Sequence, residues 1–140
     1  MKLTRRAVAI GLGNIVGFIG VVKVPVACSD PLAETIAIET ASGRRIEAVL
    51  AVPSAVPAPA VMIIHGGLGA SAWYKSLASE LAKGGFVGLS IDVYGGEVTT
   101  DLAQGDTLRR KAIADLKGTN EIIRAWFDWL TRDQRTNQRV

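Results

Sequence analysis

One glycine-rich segment carries residue types that could stabilise negative charge. Ile63–Gly69 reads Ile-Ile-His-Gly-Gly-Leu-Gly, and a helical pattern follows it. Because Gly66 and Gly67 have no Cβ, backbone N–H groups there can approach a ligand closely, and the start of the following helix adds positive potential. Such a turn can hold the developing oxyanion of acyl transfer, or a phosphate. Neither Gly-x-Gly-x-x-Gly nor a Lys-Ser/Thr pair follows, so the glycines alone are weak evidence for a nucleotide site.

His65 favours the acyl interpretation, since His-Gly-Gly before a helix is typical of the oxyanion loop of esterase-like enzymes. It is the single histidine of the chain, so any histidine-dependent catalysis by these residues would run through it. Because it precedes any plausible nucleophile, we predict that it shapes the turn, with the catalytic base as the alternative. The predicted oxyanion loop is therefore His65, Gly66, Gly67 and Leu68.

Five further side chains could lie near this loop. Asp92 and Tyr94 end a later apolar strand and are predicted to form an active-site rim, where they hold a loop or contact a substrate. Trp73 and Tyr74 could line an acyl pocket, although an aromatic residue at a helix start is more often part of a core. Ser90 lies in half of a nucleophile-elbow pattern that lacks the closing glycine, so we interpret it as an ordinary strand residue.

The net charge of +3 belongs to the first residues of the chain. Lys2, Arg5, Arg6 and Lys23 are four of the 16 basic residues, and no acidic residue precedes Asp30. The remaining 12 basic and 13 acidic residues give a net charge of −1, so a nucleic-acid partner has no support. One cysteine excludes an internal disulfide framework and a multi-thiolate metal site, and no motif calls for a metal or organic cofactor.

Residues 1–29 have the three parts of an export signal. A basic stretch ending at Arg6 precedes the 16 uncharged residues Ala7–Val22, and a small-residue run, Pro25–Ser29, follows. Thr4-Arg5-Arg6 resembles a twin-arginine signal, which predicts that Arg5 and Arg6 engage export machinery and that the protein is periplasmic or extracellular. Cys28 allows a lipoprotein as the alternative, but Pro25 stands where such sites usually carry leucine.

The rest of the chain, residues 30–140, is predicted to alternate strands and helices as one α/β domain. A β-hairpin is followed by buried strands and amphipathic helices, with Val93–Gly105 irregular and a helix break at Gly118–Asn120. The predicted elements are strands at Glu34–Thr40, Arg44–Val52, Ala60–Ile64 and Phe86–Ile91 and helices at Ser71–Lys83 and Leu108–Leu130. The last helical region is predicted to bury one apolar face, formed by Leu108, Ala112, Leu116, Ile123, Phe127 and Leu130.

A series of short motifs in the same order resembles the dienelactone hydrolase family, within the α/β-hydrolases. The motifs are the hairpin with Gly43, Pro53 after it, Val61–Gly69, Ser79–Gly85, Phe86–Gly95, Trp126–Leu130 and Gln138–Val140. The resemblance covers residues 34–140. It implies the N-terminal half of an α/β-hydrolase sheet, a hairpin followed by parallel strands with flanking helices.

The resemblance also implies a hydrolase of carboxylic ester or lactone bonds that uses a Cys or Ser nucleophile, an Asp and a His. None of the three matching positions lies in this chain; they are expected after Val140, so the chain alone is predicted to be inactive. The glutamate that the family usually carries in the oxyanion loop falls at Gly66, which opens a broader esterase-like chemistry. The alternative is a non-catalytic exported α/β module or a degenerate remnant. We also expect marginal stability, because parallel strands without neighbours leave polar backbone groups exposed.

Overall fold

The computed structural model describes residues 33–140; the predicted export signal, with Arg5, Arg6 and Cys28, lies outside them. The described elements are β1 (Ala33–Glu39), β2 (Arg45–Ala51), β3 (Ala60–Ile64), α1 (Ala72–Lys83), β4 (Val87–Ile91), α2 (Leu102–Ala114) and α3 (Leu116–Arg132). Within these residues no helix is both long and apolar enough to cross a membrane.

The four strands form one mixed sheet in the order β1-β2-β4-β3. β1 and β2 pair antiparallel as the predicted hairpin, and β2 is also antiparallel to β4, with Ala48 opposite Ile91. β3 and β4 are parallel, with Ala60 opposite Val87. The predicted α/β architecture of a hairpin, parallel strands and flanking helices is confirmed.

The two faces of the sheet pack against different helices because alternate strand residues point to opposite sides. Leu89 of β4 lies in the core cluster with Ile122, Trp126 and Leu130, which are spaced four residues apart along α3. On the other face α1 approaches so closely that a Cβ at Gly88 would lie 2.5 Å from the Ala78 carbonyl oxygen. This packing fixes α1, and therefore the loop that precedes it, against the sheet.

The helical region after β4 differs from the sequence-based prediction at its start and at its break. α2 begins at Leu102 rather than 108, because the Asp101 carboxylate caps it by accepting the Gln104 N–H at 2.7 Å. The break lies at Asp115 and not at residues 118–120, since Asp115 accepts the Gly118 N–H at 3.0 Å and begins α3 there.

The buried face of α3 also differs from the predicted one. Leu116 and Phe127, predicted to face the core, are 57% and 43% exposed, whereas Trp126 is fully buried. The helix break at Asp115 changes the rotational phase of α3, so the 122, 126 and 130 positions face the sheet instead.

The outer edge of β3 is partly covered by the end of the chain. Ala58 and Thr136 form a parallel bridge, and the Ala60 N–H donates to the Arg139 carbonyl at 2.8 Å. Residues 135–139 therefore run beside the start of β3, in the position that the next parallel strand of such a sheet would take. Beyond this pairing, Ile64 at the end of β3 is 46% exposed.

Candidate active site

The glycine-rich turn lies at the carboxyl end of β3, between the sheet and α1. The Gly69 N–H closes it by donating to the Gly66 carbonyl at 3.2 Å. Gly69 has a φ of +90°, and a Cβ there would collide with the Glu97 carbonyl oxygen. The loop that contains Glu97 therefore packs directly against the turn. The Thr99 N–H of the same loop donates to the Leu68 carbonyl at 3.0 Å and holds the two segments together.

Two adjacent amides of this turn have no hydrogen-bond acceptor in the described part of the chain. The Gly66 N–H donates to the Tyr74 hydroxyl at 2.8 Å. Within residues 33–140 no acceptor meets the N–H groups of Gly67 and Leu68, and both residues are exposed. Two neighbouring N–H donors at a strand end form the type of group that binds an oxyanion.

His65 is buried and directs both ring nitrogens to backbone groups. Its Nδ1 lies 2.8 Å from the Gly66 carbonyl oxygen, and its Nε2 lies 3.1 Å from the Val93 nitrogen. Since a carbonyl only accepts and an amide N–H only donates, the arrangement fits a neutral ring with its proton on Nδ1. His65 thus links the turn to the end of β4.

Asp92 holds the loop that follows β4. Its carboxylate accepts the Tyr94 N–H at 2.8 Å and also the Gly96 N–H. Burial raises the pKa of Asp92, whereas the hydrogen bonds from the backbone N–H groups of Tyr94 and Gly96 favour the carboxylate, and the pKa lies below its ordinary value. The His65 Nε2 is 3.4 Å from Oδ1 of Asp92, farther than it is from the Val93 amide.

The aromatic candidates lie around this histidine. The Tyr94 ring packs edge to face on His65 with centroids 4.5 Å apart, and the Tyr74 ring lies 6.3 Å away. Trp73 is 62% exposed and contacts Tyr74 edge to face, so the expectation that it belongs to the core is wrong. Ser90 lies inside β4 and is 2% exposed, which confirms it as a strand residue.

Two contacts to the turn were not predicted from the sequence. One is the Tyr74 hydroxyl on the Gly66 amide. The other is α2, where a Cβ at Gly105 would lie 2.7 Å from the Leu68 side chain and 3.1 Å from the Gly67 carbonyl oxygen. Asp101 followed three residues later by Gln104 is a helix-start signal that could have placed this helix.

Two further features of the described residues concern metal ligands and a cavity away from the turn. The described residues contain no group of three or more His, Cys, Asp or Glu side chains placed to hold a metal ion. A wide cavity of about 640 Å³ lies between β1 and α3, lined among others by Glu39, Glu121 and Trp129. Since none of the turn residues lines it, this cavity is separate from the candidate site.

Comparison with known proteins gives a family match over most of the described domain. The family model of the dienelactone hydrolase family matches residues 46–140. The chain belongs to the dienelactone hydrolase family. Both the fold and the family membership predicted from the sequence are confirmed. A search of curated proteins finds no match.

Solved structures of dienelactone hydrolase type share this fold. A dienelactone hydrolase-like promiscuous phosphotriesterase from metagenomic libraries aligns with a TM-score of 0.61 and 20% identity over 76% of this chain and 46% of its own. A putative dienelactone hydrolase from Klebsiella pneumoniae aligns with a TM-score of 0.56 and 20% identity over 75% of this chain and 47% of its own. The dienelactone hydrolase from Anabaena variabilis aligns with a TM-score of 0.54 and 17% identity over 79% of this chain and 50% of its own. The chain spans about half the length of these proteins.

Proposed function

We propose that this chain supplies the oxyanion-binding part of a hydrolase acting on carboxylic ester or lactone bonds. The observation that carries the proposal is the pair of N–H groups at Gly67 and Leu68, exposed and without acceptors among the described residues. When a nucleophile attacks an ester carbonyl, negative charge develops on the carbonyl oxygen. Donors that are already oriented toward this oxygen stabilise the transition state more than the ground state.

The surroundings of the turn favour an acyl substrate. Leu68 is 37% exposed, Trp73 62% and Leu102 79%. Leu102 precedes Gly105 by three residues and so lies on the side of α2 that contacts the turn. Exposed apolar side chains next to oriented N–H donors suit the acyl and alkyl parts of an uncharged ester.

The nucleophile and its partners are proposed to follow this segment. Residues 135–139 already run parallel to the start of β3, and parallel strands end at the same edge of a sheet. A nucleophile at the end of a strand continuing from there would lie at the same edge as the glycine turn. A Cys or Ser would attack the carbonyl carbon and pass its proton to a later His, and an Asp would hold that His.

The proposal is tested with two substitutions at one position. Gly67→Ala keeps the N–H, while Gly67→Pro removes it; Gly67 has no left-handed φ, and proline is favoured at the second position of such a turn. In the domain extended by the reading frame after Val140, we expect Gly67→Pro to lower kcat for p-nitrophenyl acetate by about 10²–10³ relative to Gly67→Ala. Equal rates for the two variants would refute the oxyanion role.

An esterase assay of the 140-residue chain by itself tests the alternative in which His65 is the catalytic base. We expect no turnover of p-nitrophenyl acetate above a denatured control. Turnover that His65→Ala abolishes would instead identify His65 as the catalytic base. If the DNA after Val140 encodes no Gly-x-Cys-x-Gly or Gly-x-Ser-x-Gly elbow, the non-catalytic α/β module is favoured.

The protein is further proposed to be exported through residues 1–29, to the periplasm or the cell exterior. The basic start with Arg5 and Arg6, the apolar stretch and the small-residue exit support this. Fused to a reporter, residues 1–29 should direct export, and replacing both arginines with lysine should stop it; export by the Lys variant would contradict the twin-arginine route.

A further inference from the structure

Among residues 33–140, the Tyr74 hydroxyl is the one side-chain group that hydrogen-bonds an N–H of the glycine turn. Tyr74 lies in the first turn of α1, and its hydroxyl accepts the Gly66 N–H at 2.8 Å. The ring is half-buried and packs edge to face against Trp73, with centroids 4.9 Å apart. Since α1 is fixed against β4 at Gly88, the hydroxyl occupies a fixed position relative to the sheet.

Position 66 is shaped around this hydroxyl. A Cβ at Gly66 would lie 3.0 Å from the Tyr74 oxygen, closer than nearly all Cβ contacts in proteins. A Cβ there would require the hydroxyl, at the free end of the Tyr74 side chain, to move by a few tenths of an ångström, which would strain its hydrogen bond with the amide. Gly66 has no left-handed φ, so the contact with the hydroxyl, and not backbone strain, is what a side chain at this position would meet.

The contact determines which amides remain available to a ligand. With the Gly66 N–H bound to Tyr74, the next two N–H groups, those of Gly67 and Leu68, are left without acceptors in the part of the chain that the structure describes. A phenol is also an uncharged acceptor, so it binds the Gly66 amide without repelling an anion held by its neighbours. A carboxylate in the same place would oppose that anion.

We propose that Tyr74 is a positioning residue of the oxyanion turn: its hydroxyl binds the Gly66 amide and thereby orients the Gly67 and Leu68 amides toward an anionic oxygen. The proposal rests on the proposed function, since it assumes that these two amides bind such an oxygen. Tyr74 acts through the turn backbone and takes no part in bond making.

The test compares Tyr74→Phe with Tyr94→Phe in the 140-residue chain by ¹H–¹⁵N NMR. Tyr94 is the matched control: it is the other tyrosine, it also packs on His65, and its hydroxyl has no hydrogen bond among residues 33–140. Loss of one hydrogen bond worth about 1 kcal/mol should speed exchange of the Gly66 amide about fivefold in Tyr74→Phe alone. Titration with inorganic phosphate should shift the Gly67 and Leu68 amides, with about fivefold weaker binding in Tyr74→Phe.

A substitution at Gly66 perturbs the same hydrogen bond from its donor residue. Gly66→Ala should displace the hydroxyl and weaken phosphate binding as Tyr74→Phe does. Combined with Tyr74→Phe, Gly66→Ala should add little, because the oxygen it meets is gone. The comparison of Gly66→Ala with the double variant tests the positioning role of Tyr74 even if Tyr74→Phe alone reduces the folded fraction. Circular dichroism would report such a reduction.

The outcomes separate this inference from the function on which it rests. If phosphate shifts the Gly67 and Leu68 amides equally in the parent chain and in Tyr74→Phe, the positioning role is overturned and the oxyanion turn stands. If Gly66→Ala and Tyr74→Phe are fully additive, the positioning role is also overturned. If phosphate shifts neither amide in the parent chain, the oxyanion role fails, and this inference fails with it.

Discussion

Gly69→Ala is expected to separate the glycine turn from the loop behind it. Gly69 has a φ of +90°, which L residues rarely adopt. A Cβ would collide with the Glu97 carbonyl oxygen and lie 3.0 Å from the Val98 Cα. These are backbone atoms and cannot rotate away, so the loop at 97–98 must move. The Thr99 N–H, which donates to the Leu68 carbonyl at 3.0 Å, is the hydrogen bond that reports this movement.

The expected magnitude follows from two costs. A non-glycine residue in left-handed conformation costs about 1–2 kcal/mol, and losing the Thr99 hydrogen bond costs about 1 kcal/mol. Their sum, about 2–3 kcal/mol, corresponds to roughly 30–150-fold faster exchange of the Thr99 amide.

Native-state hydrogen exchange measured by NMR is the suitable assay, because it reads a local opening and needs no cooperative unfolding transition. Gly67→Ala is the matched control, since a Cβ at Gly67 meets no atom within 4 Å and φ is not left-handed. Thr99 protection should therefore be unchanged in Gly67→Ala. Equal Thr99 exchange in the two variants would refute the reasoning.

Two further predictions concern acid stability and the open sheet edge. Since the pKa of Asp92 in the folded protein lies below its ordinary value of 3.8, its carboxylate stabilises the fold above that pH, and this contribution is lost as the pH falls through the folded pKa. Asp92→Asn should cost about 1–3 kcal/mol at pH 7. It should also make the far-UV circular dichroism signal less acid-sensitive as the pH falls below 3.8; an acid profile identical to that of the parent would contradict this. Ile64, 46% exposed at the edge of β3, should promote association of the chain. Ile64→Lys should lower the weight-average mass seen by sedimentation, whereas Leu102→Lys, on an exposed helix position, should not; equal masses would argue against edge pairing.

The strands, α1 and the site's location followed from local patterns. β4 reads as a continuous apolar run because all of its residues are buried, and β1 alternates because Ile36 and Ile38 pack against the core cluster while their neighbours are exposed. The glycine turn was predictable because His-Gly-Gly between a buried strand and a helix places N–H groups at a strand end. These features depend on residues close together in the chain.

The start of α2, the buried face of α3 and the Tyr74–Gly66 contact were decided by tertiary structure. α2 has few buried side chains, so its hydrophobic pattern was too weak to place its first turn, and the break at Asp115 then reset which residues of α3 face the sheet. Tyr74 reaches Gly66 because α1 packs closely over Gly88. Sequence alone thus determined which backbone could bind an oxyanion, whereas the packing of α1 and α2 decided which of its amides remain open, because that depends on distances between elements that no local pattern encodes.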